Sequence, residues 1–102
     1  MKTHHQLTAI IYDKKGNILS IGKNSYVKTH PLQLLHAKKT GNPNKIYLHA
    51  EIHAIIKLKE LTKAHRIFVS RWGKNGRPRL AKPCVICASA IKETGIQIIE
   101  HT

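Results

Sequence analysis

Two short clusters, His49-Ala50-Glu51 and Pro83-Cys84-Val85-Ile86-Cys87, constrain this chain more than any other part of it. Cys84 and Cys87 are too close in sequence to staple distant segments as a disulfide, and their C-x-x-C spacing suits metal ligation. With His49 they make a donor set of one imidazole and two thiolates, which fits zinc. Three protein ligands leave the fourth tetrahedral position to water, whose pKa the metal lowers toward neutrality. Two thiolates and a neutral imidazole offset the charge of the ion, and Glu51 remains available for proton transfer. Any fold of this chain must therefore bring residue 49 against residues 84 and 87.

Local geometry narrows how that meeting occurs. Cys84 and Cys87 share a face if a helix begins near them, where the helix dipole favours both thiolates. Pro83 suits the entry to such a helix. His49 and Glu51 would point apart by about 200° on a regular helix, so that pair belongs at a helix end. The metal is expected where two helix N-termini meet at one end of a sheet, a place also suited to an anion or a polar ring.

Hydrophobic patterning supplies the rest. Leu7 to Tyr12 reads as a strand, residues 13–17 as a hairpin turn with Gly16 at positive φ, and Ile18 to Tyr26 as the returning strand. Pro31 to Lys39 reads as a short helix carrying Leu32, Leu34 and Leu35, and residues 40–44 break it. Ala50 to Leu61 has Ile52, Ile55, Ile56 and Leu58 at helical spacing. Arg66 to Arg71 reads as a strand, Trp72 to Lys82 as a basic loop, Cys84 to Thr94 as a helix stopped by Gly95, and Ile96 to Glu100 as the last strand. A strand, helix, strand run from Arg66 onward predicts that the last two strands are parallel.

The two clusters in this order form the pattern H-x-E…P-C-x-x-C, separated by residues 52–82. On those motifs the chain resembles a short member of the zinc-dependent cytidine/deoxycytidylate deaminase-like superfamily, over about Leu7 to Ile99, with a phage as one candidate source. The resemblance implies an α/β fold, a cytidine deaminase-like three-layer α-β-α core with a mixed sheet of about four strands. It would lack the usual N-terminal helix and C-terminal helix-strand, with the Pro31 to Lys39 segment covering the sheet face left bare. It also implies Zn2+ held by His49, Cys84 and Cys87, and hydroxide at the metal attacking an amidine carbon with Glu51 as proton shuttle. Ala50 would offer its backbone N–H to a ring carbonyl, and a homo-oligomer is expected.

The chain has 102 residues, enough for one domain spanning residues 1–102. Lys plus Arg is 18 against 5 for Asp plus Glu, a net charge of +13, which suggests a polyanionic or phosphorylated partner as readily as a solvated lysine-rich surface. No apolar run reaches the length of a membrane span, and residues 1–6 carry neither the apolar run nor the cleavage site expected of a leader. A cytoplasmic location is expected, the host's cytoplasm if the chain is virus-encoded.

Several further residues have two readings. Asn24 resembles the family's sugar- or base-contacting asparagine, and Asn is also common in turns. His53, four residues after His49, is either a fourth ligand of a closed Cys₂His₂ structural site in a nucleic-acid-binding module, or, like a similar His in riboflavin-pathway deaminases, a residue beside the substrate. His30, before Pro31, is a substrate contact or a helix cap, and His36 and His65 read as ordinary surface positions. Trp72, Arg77 and Arg79 suit stacking and phosphate contact, or a solvated loop with Trp72 tucked into the core. The leading expectation is hydrolytic deamination of a cytosine-type nucleoside or nucleotide, deoxycytidylate being a candidate. The alternative is deamination of cytosine or adenine within RNA or single-stranded DNA.

Overall fold

The computed structural model describes residues 6–73 and 76–102. Five strands form one mixed sheet: β1 (Leu7–Tyr12), β2 (Ile18–Lys23), β3 (Arg66–Trp72), β4 (Pro78–Arg79) and β5 (Ile98–His101). The helices are α1 (Pro31–Lys39), α2 (Ala50–Ile56) and α3 (Val85–Thr94), with a 3₁₀ turn at Leu61–Lys63. The class is the expected α/β one, a mixed sheet with helices packed against it.

β3 organises the sheet. Along one edge it pairs antiparallel with β1, and on the other it pairs parallel with β5 from Arg66 to Val69 and antiparallel with β4 at Arg71 and Trp72. The parallel β3–β5 pair is the one expected from the strand, helix, strand run. β1 and β2 form a hairpin whose turn is closed by Asp13, its Oδ1 accepting from the N–H groups of Lys15 and Asn17 at 2.9 and 2.8 Å, with Gly16 at φ 90°.

Period-two alternation buries one face of the sheet. Ala9 and Ile11 of β1 and Ile67 and Val69 of β3 pack with Ala50 and Ala54 of α2 and Ile91 of α3. Burial of these apolar groups, worth about 25 cal/mol per Å² removed from water, is what seats both helices on the sheet. The opposite face carries Ile21, Ile10 and Phe68 in one cross-strand row, and Arg66 stacks 4.1 Å over the Tyr12 ring.

α2 approaches β2 unusually closely because small residues face each other. A Cβ on Gly22 would stand 2.2 Å from Ala54 N and 2.3 Å from Ala50 O, and Ser20 Oγ donates to Ala54 O at 2.8 Å. Gly22→Ala is therefore expected to push α2 off the sheet and to destabilise the fold by about 3 kcal/mol or more, read as a lower denaturant midpoint. A variant that unfolds at the wild-type midpoint would show that this approach is not tight.

Five expectations need correction. β2 stops at Lys23, and α2 stops at Ile56 rather than Leu61, with Leu58 turning in to pack beside the sheet core. Much of the basic loop is a hairpin, since β4 folds back on β3 with Gly73 N–H donating to Arg77 O at 2.9 Å; Lys74 and Asn75 lie outside the described residues. α1 does not cover the second face of the sheet. Its Ala37 joins Ile52 of α2 and Ile86, Cys87 and Ala90 of α3, so it stacks on the helices instead. His36 is accordingly buried, at 1% exposure, whereas Leu34 and Leu35 are exposed. Among the described residues, no helix is long and apolar enough to cross a membrane.

Candidate metal centre and active-site cleft

His49 is the N-cap of α2, in extended conformation at φ −84° and ψ 154°, and Glu51 is the second residue of that helix. The cap position resolves the H-x-E spacing, because a residue just outside the helix does not follow its 100° step. Cys84 is likewise the N-cap of α3, with Cys87 in its first turn and Pro83 one residue outside. Both helices thus aim their positive ends at the same point, which favours anionic sulfur. Gly95, at φ 80°, ends α3 in the left-handed conformation that a glycine allows.

The three donor atoms of His49, Cys84 and Cys87 lie within 4.8 Å of one another. His49 Nδ1 is 3.2 Å from Cys87 Sγ and 3.5 Å from Cys84 Sγ. A tetrahedral zinc with bonds of about 2.3 Å to sulfur and about 2.0 Å to nitrogen sets N···S separations of ~3.5 Å, so the cluster has the size and chemistry of a zinc site. Without the metal, the Cys87 thiol donates to Cys84 and, with His49, holds the Cys84 pKa down to about 3, against the effect of burial. Cys87 keeps its proton, pushed far up by that hydrogen bond, by burial and by nearby Glu51. With zinc held by the triad, Cys87 would give up that proton and both sulfurs would serve as thiolates. The hydrogen bond to Cys84 also raises the His49 pKa.

Glu51 is 4% exposed, and burial raises its carboxyl above the usual range while the neighbouring imidazole opposes the shift. A carboxyl poised in this way beside a metal triad is suited to carry protons. A cleft of about 440 Å³ is lined by Glu51, His49, Cys84 and Ala50, by Asn24, Tyr26 and Tyr47, and by the exposed Lys45 and Lys82. Ala50 opens α2, so its N–H belongs to the first turn, which has no intrahelical acceptors. Asn24 is fixed at the cleft by its Oδ1, which accepts from Leu7 N–H at 2.8 Å. A wider groove of about 560 Å³, lined by the β1–β2 turn and residues 61–65, contains none of the triad.

Other residues singled out from the sequence stand elsewhere. His53 is not in the metal cluster; its Nδ1 accepts from Lys23 N–H at 3.0 Å, so His49, His53, Cys84 and Cys87 do not form a closed Cys₂His₂ site. His30 is the N-cap of α1, its Nδ1 accepting from Leu32 N–H at 3.0 Å. Trp72, Arg77 and Arg79 do not line the cleft; they lie on the β3–β4 hairpin, and Trp72 is exposed at 57% rather than tucked into the core. Sequence reasoning missed Lys45, Tyr47 and Tyr26. The first two had a legible signal, since the segment leading directly to a metal-binding His must pass the mouth of its site.

Comparison with curated proteins gives no match. The family model for the cytidine and deoxycytidylate deaminase zinc-binding region matches residues 1–100, nearly the whole chain. With the triad assembled at two helix caps, this makes Zn2+ the cofactor and hydrolytic deamination the type of activity, so the chain belongs to the cytidine and deoxycytidylate deaminase zinc-binding family.

Proposed function

We propose that this chain, as a single catalytic domain, deaminates the cytosine-type base of a nucleotide by hydrolysis, with deoxycytidylate as a candidate. The observation that carries this reading is the buried Glu51 beside the triad, in a cleft that also includes Lys45 and Lys82. Zinc in the triad supplies a Lewis acid that activates water. Glu51 would take one proton of the attacking water and deliver it to the ring nitrogen, then carry the second proton of that water from the new hydroxyl to the departing amine, so that oxygen replaces nitrogen on the amidine carbon and ammonia leaves. Ala50 N–H binds the ring carbonyl and Asn24 the sugar. Two lysines suit a phosphate, which a nucleoside lacks.

The test is ammonia release across nucleosides, nucleotides and short single strands. Lys45→Glu with Lys82→Glu is expected to raise KM for the preferred monophosphate about 10-fold or more, with a smaller change for the matching nucleoside. Equal effects on both would remove the phosphate from the reading.

A second reading, deamination of a base within RNA or single-stranded DNA, draws support from the net charge of +13 and from exposed Trp72, Arg77 and Arg79 on the β3–β4 hairpin. It requires turnover on single strands that weakens steeply as salt rises. We also propose action in the cytoplasm, and a homo-oligomer. Exposed Ile98 and Ile99 on β5, which among the described residues pairs only with β3, support the latter.

A further inference from the structure

We propose that Gln33 of α1 is a positioning residue for the metal ligand His49. Its side chain is fully buried at 0% exposure, although the leucines of α1 mark a different face of the helix. Gln33 Oε1 accepts from the backbone N–H of His49 at 3.1 Å, and Nε2 donates to the carbonyl of Lys45 at 3.1 Å. One amide thus spans the approach to the ligand and satisfies a backbone group at each end of it. This matters because His49 lies outside α2 and its side chain makes no capping bond. Its imidazole meets the sulfurs of Cys84 and Cys87, and the path of the extended segment that leads into the helix brings it to them.

α1 is itself tied to the helix that carries the thiolates. Buried His36 Nδ1 is 2.9 Å from Ser89 Oγ, two residues beyond Cys87, and Nε2 is 3.4 Å from Glu93, which also pairs with Lys39. Gln33 and His36 stand three residues apart on one helix, so they share a face. That face braces His49 through one side chain and α3 through the other, holding nitrogen and sulfur ligands at a common spacing. Metal sites tolerate only a few tenths of an ångström of ligand displacement, and residues that orient ligands commonly change metal affinity by about 10- to 100-fold.

The test is Co2+ titration of the metal-free protein, read by absorption, for wild type, Gln33→Met and Gln33→Asn. Met keeps the length and loses both hydrogen bonds; Asn keeps the amide and loses the reach. Each folded variant is expected to bind Co2+ about 10- to 100-fold more weakly. The thiolate charge-transfer band should persist while the ligand-field bands change, because the imidazole alone is displaced. If Gln33→Met does not fold, Gln33→Asn decides the matter. Variants that melt lower yet keep wild-type Co2+ affinity and spectrum would overturn the proposal by making Gln33 a merely structural amide. No turnover is required, so this outcome is independent of which base the enzyme deaminates.

Discussion

Glu51→Gln is expected to lower ammonia release by about 10³- to 10⁴-fold while zinc content stays at one ion per chain. The substitution keeps the volume of a side chain that is 4% exposed, so packing at the start of α2 survives. What disappears is the titratable carboxyl, which burial holds above its usual range and which stands in the cleft beside the triad. Zinc should remain because the three donor atoms are those of His49, Cys84 and Cys87, and removing a carboxyl beside two sulfurs relieves repulsion between them once they are thiolates. The checks are a rate measurement on the best substrate and a metal assay of the same sample. Retained turnover would remove Glu51 from proton transfer, and zinc loss would make it part of the metal site.

Cys87→Ser is expected to cost the protein its zinc and much of its stability together. The sulfur is 0% exposed and packs among Ala37, Ile52, Ile86 and Ala90, at the junction of all three helices. A serine hydroxyl does not ionise near neutrality, so the site would keep two ligands of three. Metal that binds only the native state at about 1,000 times its Kd adds about 4 kcal/mol, which for a chain of 102 residues corresponds to a fall in Tm of about 20 °C on its removal. Wild type treated with a chelator should therefore melt near the temperature of untreated Cys87→Ser. A variant that still binds one zinc with wild-type Tm would show that the triad is not where the metal sits.

Much of the site is legible in the amino-acid sequence because its chemistry is written in residue types at short range. Two sulfurs in a C-x-x-C, an imidazole and a carboxylate have few other joint uses, and their spacing already requires two helix ends. Strand and helix identities are legible where periodicity is clean, as in Leu7–Tyr12 and Val85–Thr94. α1 marks the limit. Its span is readable from Pro31 and the break after Lys39, but its three leucines suggest an apolar face other than the one buried, which is Gln33, His36 and Ala37. Polar side chains go inside there because each finds a partner on another segment: His49 and Lys45 for Gln33, Ser89 for His36.

The same distinction separates the candidate ligands from the other candidates. His53 stands one helical turn from His49, and spacing alone allows it to be a ligand; the cap geometry of His49 turns the two rings to different partners. Trp72, Arg77 and Arg79 are near the cysteine motif along the chain, but the hairpin of β4 on β3 keeps them out of the cleft lining, where Lys45 and Tyr47 stand instead. The sequence by itself determined the candidate donor set, the carboxyl beside it and the positions of the helix ends, because those depend on side-chain chemistry and on neighbours within a few residues. Only the tertiary structure decided which polar side chains pair with the segment before His49 and with α3, and which residues line the cleft, since both depend on segments 12 to 53 residues apart that the packing of helices on a sheet brings together.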